Sequence, residues 1–148
     1  MNPTIEKFGY PATLLREYRH WVVLLRPKQA TLGSMVLANK SDATRPGDIS
    51  SEAYAELAPI KRELEATLRH CFNMDKINYL MLMMVDKEVH YHVLPRYAGD
   101  KVFENITFQD PGWPKVPDLG YATSLTDDQF SRLAEHLKKS WTSLSEHQ

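Results

Sequence analysis

The run Glu88-Val89-His90-Tyr91-His92-Val93-Leu94-Pro95-Arg96 alternates between two kinds of side chain with a period of two. That period commits a chain to an extended strand with two unlike faces. Glu88, His90, His92, Leu94 and Arg96 fall on one side of it, and Val89, Tyr91 and Val93 on the other. The second set is what a core wants. The first sets two imidazoles side by side, roughly 7 Å apart at their α-carbons, between an acid and a guanidinium, and such a face needs water, a ligand or an ion. A half-exposed strand of an antiparallel sheet shows the same alternation, so spacing alone leaves both readings open. Pro95 has no N–H and biases Leu94 to extended geometry, so the strand is expected to end there, with Arg96 opening a loop.

The rest of the chain can be read around this strand. Residues 1–11 hold Pro3, Gly9 and Pro11 with little periodicity and read as an arm. Thr13–Leu15 and Trp21–Leu25 are β-prone segments about a polar connection, a hairpin, and Ser34–Ala38 resumes as a third strand after Gly33, which is free to take a turn conformation. A loop leads to a helix capped near Ser50 or Ser51, with Leu57, Ile60, Leu64, Leu68 and Cys71 as its buried stripe and a kink or restart expected at Pro59. Ile77–Val85 is apolar on both faces, as a strand covered on both sides must be, and Asp86-Lys87 then forms a tight turn into the histidine strand. Glu104–Phe108 is a further strand candidate, and residues 109–125, rich in proline and glycine, form a long loop. Thr126 and Gln129 make a capping box before a helix over 126–145, whose stripe is Phe130, Leu133, Leu137, Trp141 and Leu144. The fold class is therefore α+β: an antiparallel sheet of about five strands, one long mid-chain helix and a C-terminal helix.

Composition bounds what such a fold could serve. The 148 residues suit one domain, 1–148, with a real core. With 18 Lys and Arg against 19 Asp and Glu the net charge is −1, so no global basic field points to nucleic acid or a membrane, whereas a free nucleotide needs only a local site. The one cysteine, Cys71, allows no internal disulfide and fits a reducing compartment. No stretch approaches membrane-spanning length, and a soluble cytoplasmic protein is expected. His70 lies off the helix stripe and reads as a surface residue.

The motif EVHYHVLPR resembles the signature of the histidine triad superfamily of nucleotide hydrolases and transferases, His-φ-His-φ-His-φ-φ followed in several branches by Pro-Arg. Its setting, with a strand pair, a long amphipathic helix and an immediately preceding strand, agrees over about residues 12–100. The resemblance implies that His90 stands at the central, nucleophilic position, that His92 stands at the last one, and that Glu88 replaces the first histidine. It also implies that Arg26 stands near an asparagine that often contacts sugar or phosphate, that Gly33-Ser34 replaces a common Gly-His, and that a Gln or Ser often supplied by a longer turn before the motif is missing. It adds a homodimer.

The chemistry so implied is attack by neutral His90 on an α-phosphorus, giving a nucleotidyl-histidine that water resolves, with protonated His92 binding phosphate oxygens or giving a proton to the leaving group. Arg96 or Lys28 would steady charge on the equatorial oxygens. Substrates of this class are dinucleoside polyphosphates and nucleoside phosphoramidates, and the route requires neither metal nor cofactor. A nucleotide-binding protein with little turnover is the second reading. A zinc hydrolase using His90, His92 and Glu88 is the third, although ligands at i, i+2 and i+4 of one strand splay too far for a tetrahedral ion. Glu88 is the departure with most at stake. A carboxylate about 6 Å from an incoming phosphate would repel it by about 3 kcal/mol, unless it pairs with a histidine or turns to solvent.

Overall fold

The computed structural model describes residues 1–146. Its element order is α1 (Pro3–Lys7), β1 (Leu14–Glu17), β2 (Trp21–Leu25), β3 (Met35–Asn39), a 3-10 turn (Pro46–Asp48), α2 (Ser51–Phe72), β4 (Lys76–Leu80), β5 (His90–Arg96), β6 (Lys101–Phe103), β7 (Ile106–Phe108) and α3 (Asp127–Glu146). Strands β1 to β5 form one antiparallel sheet in the order β1-β2-β3-β5-β4, and β6 and β7 make a separate hairpin. The architecture is the α+β one expected from the sequence.

Alternation along the central strands splits the interior in two. Trp21, Val23, Leu25, Met35, Leu37 and Val93 face α2 and α3, whose stripe residues Leu57, Ile60, Leu64, Leu68, Leu133, Leu137 and Trp141 complete the larger core. Burying a side chain of this size contributes about 1.5–3 kcal/mol each, so this face dominates stability. Gly33 lets the β2–β3 connection approach it: φ is +85°, and a Cβ there would lie 2.8 Å from Leu68 Cδ2. Helix α2 starts where Ser50 Oγ accepts from Ala53 N–H, and it runs unbroken through Pro59, so the expected restart does not occur. Pro59 lies on the exposed side of the helix, where the freed carbonyl of the preceding turn can meet water.

On the opposite face Val22, Leu24, Val36 and Ala38 form a smaller core with Ile5, and Phe8, Tyr10 and Leu14 pack against it. The expected N-terminal arm is thus a helix that covers the sheet. Asn2 caps it, with its Oδ1 accepting from Ile5 N–H at 3.0 Å and its Nδ2 donating to the carbonyls of Asn39 and Ser41. Asn2 followed by Pro3 is a helix-start pattern, but five residues are too few for the helix to show as periodicity in the sequence.

Further corrections bear on the histidine strand and on the chain that flanks it. The apolar run does not continue to Val85: β4 ends at Leu80, opposite His92, and residues 81–89 form a connection in which Met84 and Val85 are 80% and 83% exposed. Apolar composition could not distinguish this exposed loop from a buried strand, and the tight Asp86-Lys87 hairpin is replaced by a longer passage that includes Met83 at φ +45°. Strand β5 begins at His90, which leaves Glu88 outside it, and continues through Pro95 to Arg96. Pro95 is tolerated because β3 has already stopped at Met35, opposite Val93, so β5 is flanked there by β4 alone. The single strand expected over Glu104–Phe108 is instead the second arm of a hairpin, turning at Glu104 and Asn105, both with positive φ. At the C-terminal helix Thr126 and Gln129 exchange reciprocal capping bonds.

Candidate functional site

Pairing with β3 sets Val36 opposite His92 and Ala38 opposite His90, which puts both histidines on the face covered by α1. They are not on a wet face: His90 is 1% exposed and His92 8%. Their rings meet edge to face with centroids 5.0 Å apart, and the Phe8 ring lies against both, at 5.8 Å from His90 and 5.9 Å from His92.

The backbone fixes the orientation of His90. Its Nδ1 lies 2.7 Å from the carbonyl oxygen of Glu88. A carbonyl only accepts, so the proton sits on Nδ1 and Nε2 carries the free lone pair. The side chain of Glu88 turns the other way, and its Oε1 accepts from Thr4 Oγ1 at 2.7 Å. Glu88 therefore serves His90 through its main chain, while its carboxylate ties down α1.

His92 is held differently. Its Nδ1 is buried without a hydrogen-bond partner. Burial, then repulsion from His90 and Arg26, outweigh the attraction of Asp86 and depress its pKa from 6.5 to about 4. His92 is thus neutral at neutral pH in the free protein. To bind phosphate as a cation or to give up a proton, His92 must therefore first take one up.

A cavity of about 460 Å³ opens onto the two histidines and is lined by Lys7, Phe8, Arg26, Pro27, Lys28, Asp86 and the apolar stretch Leu82–Val85. Of the seven residues singled out in the sequence, His90, His92, Arg26 and Lys28 meet there; Ser34, Glu88 and Arg96 are not among its lining residues. Ser34 is wholly buried, with its hydroxyl spent on Thr31 in its own turn. Arg96 shares the face of the histidines but is buried farther along it, with Nε and Nη2 on the Asp110 carboxylate and Nη1 on Asn78 Oδ1. It clamps the long loop to the sheet. Lys7, Phe8 and Leu82–Asp86 carry no site signal in the sequence: the first two lie in a stretch without periodicity, Leu82–Val85 has the composition of a buried strand, and Asp86 falls in an expected turn.

Lys7 and Asp86 join the two rims of the cavity by an ion pair of 2.6 Å. Lys28 and Arg26 have no carboxylate partner among the described residues. Nor do any three His, Cys, Asp or Glu side chains among the described residues cluster as a metal site would require. No helix among them is long and apolar enough to cross a membrane. The arrangement offers a backbone-oriented imidazole with a free ring nitrogen, a second neutral imidazole beside it, cations without carboxylate partners and an apolar wall.

Comparison of the sequence with protein-family models gives no match, and comparison with curated proteins gives none. Solved structures do match. A histidine triad protein from Marinobacter aquaeolei aligns over 94% of this chain and 95% of its own, at TM-score 0.72 and 22% identity. A hypothetical histidine triad nucleotide-binding protein from Sulfolobus tokodaii aligns over 95% and 91%, at 0.70 and 16%. The Plasmodium falciparum diadenosine triphosphate hydrolase aligns over 97% and 95%, at 0.62 and 10%. At these identities the likeness is one of fold, and the fold is that of histidine triad proteins.

Proposed function

We propose that this protein is a nucleotidyl hydrolase or transferase that acts at the α-phosphorus of a dinucleoside polyphosphate or nucleoside phosphoramidate, with His90 as nucleophile and Glu88 standing where a first triad histidine would be. The observation that carries this reading is the bond from His90 Nδ1–H to the Glu88 carbonyl, which points the Nε2 lone pair away from the strand backbone. In the first step Nε2 forms a bond to phosphorus while the bond from phosphorus to the leaving group breaks, and the leaving group departs with the proton carried by substrate-protonated His92. Water or another acceptor then displaces the histidine, returning neutral His90 and a nucleoside monophosphate or its transfer product. His92 is neutral before substrate binds, and phosphate oxygens beside it favour its protonation, so substrate itself prepares the second imidazole. The unpaired outer edge of β4 supports a homodimer, and the fold's likeness to a named hydrolase supports turnover.

The test is a rapid quench with substrate labelled at the α-phosphorus. A stoichiometric burst of acid-labile, base-stable label on the protein, absent in His90→Gly, is expected. A His90→Gly variant that retains more than about a tenth of wild-type turnover would remove His90 from this role. Tight nucleotide binding with no burst would select the binding protein with little turnover.

A further inference from the structure

Arg26 is unusual among the basic residues of this chain. It is half-buried at the cavity wall, has no carboxylate partner among the described residues, and its Nε is buried without any hydrogen-bond partner. A buried guanidinium N–H left unpaired is costly and calls for an acceptor. The loop that carries it is held in place, and the guanidinium is anchored at one end. Its Nη1 donates to the Lys28 carbonyl at 2.8 Å, its main-chain N–H donates to the Ser34 carbonyl, and its own carbonyl accepts from Gln29 Nε2. Gln29, wholly buried, also bonds the Ser34 carbonyl and the Gly33 N–H, which locks the loop that carries Arg26.

With Nη1 occupied, the edge formed by Nε and Nη2 is left. That edge grips an oxyanion with two parallel bonds. Arg26 lines the same cavity as His92 and repels its protonated form, and the one acid lining the cavity, Asp86, is engaged by Lys7. The β4–β5 connection, residues 81–89, carries no Gln, Ser, Thr or Asn that might donate to a phosphate.

We infer that Arg26 is the phosphate-reading residue of this site: its Nε–Nη2 edge takes two non-bridging oxygens of the phosphate presented to His90, so that the site selects a phosphorylated nucleoside over the nucleoside itself. The inference rests on the nucleotide reading above. It names the group that discriminates, and places it on the β2–β3 loop instead of the loop before β5.

Calorimetric titration with AMP, adenosine and inorganic phosphate separates the two. Wild type is expected to bind AMP more tightly than adenosine. Arg26→Gln should weaken AMP by about 30-fold, the size of a lost charge-assisted pair of bonds, and leave adenosine unchanged. Arg26→Lys, which keeps the charge but not the fork, should recover only a minor part, and thermal melts of both variants check folding. Equal weakening of AMP and adenosine, unchanged AMP affinity in Arg26→Gln, or full recovery by lysine would overturn the assignment. If wild type binds phosphate through Arg26 but neither AMP nor adenosine, the nucleotide reading fails while the anion site stands. Wild type that binds none of the three overturns both.

Discussion

Thr4 and Glu88, 84 positions apart in the chain, are joined by a hydrogen bond of 2.7 Å from Thr4 Oγ1 to Glu88 Oε1, and this bond holds the N-terminal helix over the histidine strand. The carboxylate that would have repelled an incoming phosphate is thus turned into a strut. Glu88→Gln retains an acceptor and should leave stability and nucleotide affinity within about twofold of wild type. Glu88→Ala and Thr4→Val, which break the bond, should each cost about 1–2 kcal/mol in chemical denaturation. A large gain in nucleotide affinity in Glu88→Gln would instead put the carboxylate in the site.

Arg96 invites the opposite expectation from its motif position. Its pair with Asp110 is buried, with a side-chain exposure of 4% on one side and none on the other, and Tyr97 N–H adds a third bond to the same carboxylate. Breaking a buried pair strands the remaining charge, so Arg96→Met should destabilise by about 3–5 kcal/mol. Below its melting temperature the folded variant should keep its kcat/KM. Loss of kcat with unchanged stability would return Arg96 to catalysis.

What the sequence disclosed, and what it withheld, follows from the range of each interaction. The strand period that puts His90 and His92 on one face is a local property, and so are the central residues of the α2 and α3 stripes and the capping box at Thr126, which the structure contains. What covers that face is not local. The burial of the imidazoles depends on Phe8, some 82 positions upstream of His90, and the neutrality of Arg96 and Asp110 as a pair depends on a loop without regular structure. The exposed run Leu82–Val85 has the composition of a core strand; only the register, in which β4 stops at Leu80 opposite His92, shows that it lines a cavity mouth.

Stability should carry the signature of His92. The unfolded imidazole titrates near 6.5 and the folded one near 4, because of burial and the charges of His90 and Arg26 facing it, with Asp86 opposing. As pH falls below 6.5 the unfolded chain takes a proton that the folded one refuses, so stability drops progressively until about pH 4, by up to about 3 kcal/mol. His92→Gln should flatten the difference in unfolding free energy over this window relative to wild type. AMP should stabilise wild type increasingly on acidification, because its phosphate favours protonated His92. Parallel pH profiles for wild type and His92→Gln would show that His92 takes up its proton as readily in the fold as in the unfolded chain.

Phe8 supplies the last test, because it links the N-terminal helix to the chemistry of both histidines. Its ring covers them at 5.8 and 5.9 Å and lines the cavity, so it excludes water from the side on which α1 lies. Phe8→Ala admits water to His92, and desolvation is the largest cause of its depressed pKa. The His92 pKa measured by proton NMR should therefore rise from about 4 towards 6.5. Because the ring is only partly buried, the stability loss should be moderate, about 1–2 kcal/mol. Phe8→Leu keeps an apolar cover and should hold the His92 titration near its wild-type position. A His92 titration that stays where it is in Phe8→Ala would mean that the strand and Arg26, not the N-terminal helix, set the state of this imidazole.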